Sequence, residues 1–163
     1  MASRRRELLL LRHGIAEARD ADAMDQADQA DRQRSLTAEG GERTSRLIQR
    51  LVDLDLHCDV VLSSPLRRAR QTAELAVAGG LAPDLELAAG LAPLADLSTL
   101  AALLIGVPMG QAPHALQLKK AGVALLQWGA PPLGGLTGTA RLALLLPPRA
   151  LLGPRTGKPT SGG

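Results

Sequence analysis

Apolar residues in this chain gather in short blocks, and the spacing within each block predicts a different element. Glu7 to Leu11, "ELLLL", is apolar without alternation, the pattern of a strand covered on both faces. The following "IAEARDADAMDQADQADRQR" has no apolar period and predicts a surface loop. In "SLTAEGGERTSRLIQRLVDLDL" the residues Leu47, Ile48, Leu51 and Leu54 form a one-sided stripe, predicting a helix capped at Thr37. Gly40 and Gly41 either weaken its first turn or let the backbone approach something closely.

"DVVLSSPLRRARQTAELAVAGG" predicts a strand over Val60–Leu62 running into a helix. Ser64 would be the N-cap and Pro65 the first helical residue, with Gly79 and Gly80 ending the helix. Leu66, Ala69, Ala73, Ala76 and Val77 are its expected packing face. A weak strand at Asp84–Leu87, a helix over Asp96–Leu104, an irregular "IGVPMGQAPHA" and two further strands in "AGVALLQW" and "TARLALLLPP" complete the pattern. Gly153 to Gly163 reads as a flexible tail, leaving 1–152 as one domain. The alternation of strand and helix predicts an α/β fold, a three-layer α/β/α sandwich with a mainly parallel sheet.

Composition narrows the function classes. The 163 residues include no Phe or Tyr and one Trp, which argues against aromatic platforms for single-stranded nucleic acid. A net charge of +3 is low for a general nucleic-acid binder. Cys58 is the only cysteine, so an intrachain disulfide is impossible and a reducing compartment is expected. The basic start lacks the long apolar core of a signal peptide and no run approaches a membrane span, which predicts a cytoplasmic protein.

Arg12, His13 and Gly14 follow the first strand, and Ser63, Ser64, Arg67 and Arg68 follow the second. Ligands of open α/β sheets bind at such strand ends. A helix N-terminus flanked by arginines suits an anion such as a phosphoryl group. A neutral imidazole beside it can attack phosphorus and hold the group covalently. Taken alone, a histidine after a strand is more often a satisfied structural residue.

"LLLLRHG", "RSLTAEG" and "SSPLRRARQTAE" resemble, in order and spacing, the motifs of the histidine phosphatase superfamily, which includes phosphoglycerate mutases. The short chain, with no large inserted cap, looks most like the SixA-type phosphohistidine phosphatase branch. The resemblance implies a phosphatase in which His13 becomes phosphorylated, Arg12 and Arg68 bind the phosphoryl oxygens, and Arg34 faces the pocket. Arg67 would be a solvated neighbour. It also implies no metal or other cofactor, and a phosphohistidine-bearing signalling or phosphorelay protein as partner.

The chain departs from that family in one respect. Relatives carry a second pocket histidine on a central strand, and no matching motif is present here, which implies loss of one strand-helix unit. His57 precedes the second strand, at its wrong end, and His114 is the remaining candidate. Two alternatives follow: a non-catalytic relative that binds phosphate or a phosphoprotein, and a small-molecule acid phosphatase. The second would need a proton donor, and neither Glu86 nor Asp96 matches the position of the family's acid.

Overall fold

The computed structural model describes residues 6–18, 27–91, 97–107, 111, 116–128 and 139–153. In chain order these form β1 (Arg6–Leu11), α1 (Ala27–Gln33), α2 (Ala38–Asp53), β2 (Val61–Ser63), α3 (Arg67–Ala78), β3 (Leu85–Leu87), α4 (Leu97–Leu104), β4 (Val123–Trp128), β5 (Arg141–Leu146) and α5 (Pro148–Leu152). The expected tail after Gly153, the turn at 129–138 and both Asp96 and His114 lie outside the described residues.

The fold is mixed α/β, but its main sheet is antiparallel rather than mainly parallel. β4 lies between β1 and β5 and runs antiparallel to each. Among the described residues parallel pairing is confined to β2 and β3, whose connection is the crossover helix α3. Such a crossover is what parallel strands require, whereas consecutive strands without an intervening helix pair antiparallel. The strand-helix rhythm holds as far as α4, but β4 enters the sheet antiparallel to β1 and β5 follows antiparallel to β4. Among the described residues no ladder joins β1 to β2.

Leu9 and Leu11 of β1, Val123 of β4 and Val61 of β2 pack with Leu47, Ile48 and Leu51 of α2 and Ala76 of α3. Leu10 of β1 and Ala124, Leu126 and Trp128 of β4 pack instead with Ala101, Ala102 and Leu104 of α4. Helices thus cover both faces of the sheet, which is why β4 is apolar almost throughout. β5 alternates between exposed and half-buried positions, as an edge strand does.

Local chemistry sets the helix ends. Thr37 Oγ1 accepts from the Gly40 amide at 3.0 Å, so α2 is capped as predicted. Leu54, expected in its apolar stripe, is the C-cap and is 56% exposed because the helix has already ended. α3 starts later than predicted: Ser64 Oγ accepts from the Leu66 amide at 3.2 Å, and Pro65 lies in the bend before the helix. Gly80, at φ +82°, turns the chain out of α3 in the left-handed region that glycine adopts without strain. The acidic segment predicted as loop contains α1, built from Ala, Asp, Gln and Arg without an apolar stripe.

Candidate active site

β1 delivers Arg12 and His13 to its C-terminal end, where three segments converge on them. The first is the turn Lys119–Gly122, closed by the Gly122 amide on the Lys119 carbonyl at 2.7 Å. Its Ala121 amide donates to the carbonyls of Arg12 and His13 at 3.1 and 3.0 Å, and the Arg12 amide donates to the Gly122 carbonyl at 3.1 Å. Arg12 Nη1 donates to the Leu118 carbonyl at 2.7 Å. Ala121 sits at φ +55°, a conformation costly for a residue with a side chain, and its amide is the one that fixes the His13 backbone.

The second segment is the clasp formed by Ile15–Glu17 with Ser35–Thr37. Ala16 and Leu36 form an antiparallel bridge, the Glu17 amide donates to the Ser35 carbonyl at 2.9 Å, and the Thr37 amide donates to the Ile15 carbonyl at 3.0 Å. Glycine is needed at two positions here. A Cβ on Gly40 would overlap the Ile15 carbonyl oxygen, and one on Gly14 would overlap Thr44 Oγ1. Of the two glycines that open α2, only Gly40 makes a close approach, since nothing lies within 4 Å of a Cβ on Gly41.

The third segment is the start of α3. Thr72 Oγ1 accepts from the Gly14 amide at 3.2 Å and donates to the Arg68 carbonyl at 2.8 Å, tying the strand end to the helix. Arg68 and Thr72 are buried while Arg67 is exposed, so the inward face of α3 includes polar residues that the apolar pattern did not select. Thr72 was invisible in the sequence because a buried threonine on an alanine-rich face carries no distinguishing pattern.

His13 is half-buried, and its Nδ1 lies 2.8 Å from the Gly14 carbonyl oxygen. A carbonyl only accepts, so Nδ1 carries the proton and the lone pair of the neutral ring is on Nε2. Burial lowers the pKa of the imidazole, and the nearby charges of Arg68, Arg12 and Lys120 lower it further, against the opposing effect of the Gly14 hydrogen bond. The ring is therefore neutral at physiological pH, with one nitrogen available.

Arg68 donates through Nη1 to the Asp31 carbonyl at 2.6 Å and through Nη2 to Asp31 Oδ2 at 3.0 Å. Its Nε is buried with no hydrogen-bond partner, a costly arrangement in a folded protein and a sign of a missing acceptor. Arg34 meets the acidic segment: its Nε donates to Asp31 Oδ1 at 2.9 Å and its Nη1 to the Glu17 carbonyl at 2.8 Å. Asp31 thus joins Arg34 to Arg68. Burial tends to raise its pKa, but the two arginines outweigh this and hold the carboxyl below its usual range.

His57 is remote from this cluster. Its Nδ1 lies 3.3 Å from the Gly80 carbonyl, beyond the C-terminus of α3, whereas Arg68 is in the first turn. Glu86 is exposed on β3. Among the described residues no group of three or more His, Cys, Asp or Glu side chains could hold a metal ion.

A strand end bearing Arg12 and His13, a buried arginine whose Nε has no partner and a mixed α/β frame make up the candidate site. Residues 8–92 match the family model of the histidine phosphatase superfamily, branch 1. The chain belongs to that superfamily. It is 38% identical to an uncharacterized protein of Picosynechococcus sp., over 90% of this chain and 99% of the relative. Solved structures share the fold at lower identity. A protein from Agrobacterium tumefaciens, provisionally named phosphohistidine phosphatase SixA, superposes with a TM-score of 0.62 at 18% identity, covering 86% of this chain and 97% of that one. The protein histidine phosphatase SixA complexed with tungstate gives 0.62 at 21% identity, covering 90% and 99%. A mycobacterial glucosyl-3-phosphoglycerate phosphatase gives 0.60 at 15% identity, covering 86% and 98%.

Proposed function

We propose that this protein is a phosphatase acting on protein-borne phosphohistidine through a phosphorylated His13. The observation that carries the reading is the pairing of a neutral His13, with Nε2 available, and a buried Arg68 whose Nε lacks an acceptor. A phosphoryl oxygen is a strong acceptor for such a donor, and guanidinium recognition of phosphate is among the stronger charge-assisted contacts.

The chemistry would run in two in-line transfers. His13 Nε2 attacks phosphorus, the bond from phosphorus to the substrate imidazole breaks, and the departing nitrogen keeps the electron pair and takes a proton. Water then attacks the phosphoryl group on His13, the P–Nε2 bond breaks, and inorganic phosphate leaves with the neutral imidazole restored. Arg12 and Arg68 would bind the phosphoryl oxygens, with Arg34 beside them. A phosphoramidate leaves readily once its ring nitrogen is protonated, so it asks less of a general acid than a phosphoester does. Asp31, the carboxylate that meets Arg68, is held anionic and is a poor proton donor. That favours phosphohistidine over a small phosphoester, although the fold is shared with a glucosyl-3-phosphoglycerate phosphatase. The natural setting for such a substrate is a cytoplasmic phosphorelay.

A second reading, a relative that binds phosphate without turning it over, is favoured by one observation. The sequence lacks the strand-end motif that carries the second pocket histidine of relatives, and His57 lies away from His13. Incubation with a phosphorylated histidine-containing domain, followed by 31P NMR, separates the two. Release of inorganic phosphate that disappears in His13→Ala supports turnover at His13. Turnover that persists in His13→Ala overturns the nucleophile, and phosphate or tungstate binding without turnover establishes the second reading.

A further inference from the structure

Asp31 has no place in the chemistry above, yet it is the most heavily engaged side chain near Arg68. It projects from α1, on a segment whose composition predicted only a solvated connector. Its Oδ1 takes the Nε and Nη2 of Arg34 at 2.9 and 2.7 Å, its Oδ2 takes Arg68 Nη2 at 3.0 Å, and its backbone carbonyl takes Arg68 Nη1 at 2.6 Å. The Arg68 side chain is only 9% exposed, so an unsupported guanidinium there would be a buried, uncompensated charge.

A guanidinium has five N–H donors arranged in two usable edges, one between the terminal nitrogens and one along Nε and Nη2. Asp31 occupies the first. The second includes the Nε–H that has no partner. We infer that Asp31 is a positioning residue of the site: it clamps the terminal edge of Arg68 so that the Nε edge faces the phosphoryl group, and it carries Arg34 into the same cluster through its other oxygen. This rests on the phosphatase reading, since the phosphoryl group is the ligand that the Nε edge awaits.

Asp31 is not a competitor for the anion on this account, and the two roles predict opposite results. A competing carboxylate would be displaced by phosphate, so removing it would tighten phosphate binding. Removing a positioning carboxylate leaves the terminal edge of Arg68 held only by the Asp31 backbone carbonyl, about which the guanidinium can pivot, so phosphate binding weakens.

The test uses the full-length chain, its Asp31→Ala and Asp31→Asn variants, and inorganic phosphate as the probe. NMR of the arginine side chains and of the His13 imidazole reads occupancy without turnover. In the wild type, the Arg68 Nε–H resonance shifts on adding phosphate. In Asp31→Ala that response is lost and the phosphate dissociation constant rises, with kcat/KM falling by about 10²-fold, the scale of a misplaced catalytic group. A purely structural role would lower the melting temperature without abolishing the Nε response. If Asp31→Ala does not fold, Asp31→Asn, which keeps the shape and one acceptor, serves for the same comparison. Unchanged or tighter phosphate binding in a folded variant overturns the inference alone. A wild type in which neither His13 nor Arg68 responds to phosphate overturns the phosphatase reading itself.

Discussion

The paired glycines at the start of α2 give a test in which a single methyl group should act with opposite sign at adjacent positions. In Gly40→Ala the new Cβ overlaps the Ile15 carbonyl oxygen and lies 2.9 Å from the Ile15 carbonyl carbon and 3.0 Å from Thr37 Oγ1. In Gly41→Ala it meets nothing within 4 Å. Both substitutions gain the same preference of alanine over glycine in a helix, about 0.5–1 kcal/mol. The difference between the two variants therefore isolates the cost of forcing a methyl against backbone, about 1–3 kcal/mol. For a chain of this size that separates their melting temperatures by about 2–12 °C. Urea unfolding is the better assay, because a shift in midpoint at constant slope reports stability alone. Gly41→Ala is expected above the wild type and Gly40→Ala below it. A Gly40→Ala protein as stable as Gly41→Ala would refute the claim that the β1 exit loop and the α2 N-terminus are in contact at Ile15.

Further outcomes follow from the site. kcat/KM should fall on acidification with an apparent pKa below the ordinary imidazole value of about 6.5, because burial and the charges of Arg68, Arg12 and Lys120 oppose protonation of His13. The same shift affects stability: between its folded and unfolded pKa values His13 binds more protons unfolded, so stability rises with pH toward about 6.5, and His13→Gln should flatten that rise in pH-dependent urea titrations. Thr72→Val removes the acceptor of the Gly14 amide in a buried setting, and calorimetry should show a loss of about 1–3 kcal/mol. Arg68→Met should reduce kcat/KM by about 10²-fold or more while Arg67→Met, at an exposed position, changes it little; equal effects in steady-state kinetics would overturn the assignment of the clamp.

Features set by local chemistry were legible in the sequence. The apolar block before Arg12, the Thr37 cap and the glycine exit from α3 each depend on residues a few positions apart. Direction in the sheet was not, because an apolar block such as "VALLQW" is the same whichever way its neighbour runs. The inward face of α3 was legible in part: Ala73 and Ala76 are buried as the apolar pattern indicated, whereas Arg68 was placed inward by the family resemblance alone and Thr72 by nothing, because hydropathy counts only apolar residues. Asp31 was hidden most deeply. Its link to Arg68 spans 37 positions, and its own segment has the composition of a solvated connector.

The contacts that hold Arg12 and His13 also govern when the site can form. Arg12 bonds to Leu118 across 106 positions of a 163-residue chain, and Gly14 bonds to Thr72 across 58. Each closure carries a loop entropy that near-neighbour helix contacts avoid, so the site costs more chain entropy to assemble than a helix such as α2. The geometry of the candidate site therefore rests on contacts between distant parts of the chain, which helix content does not report.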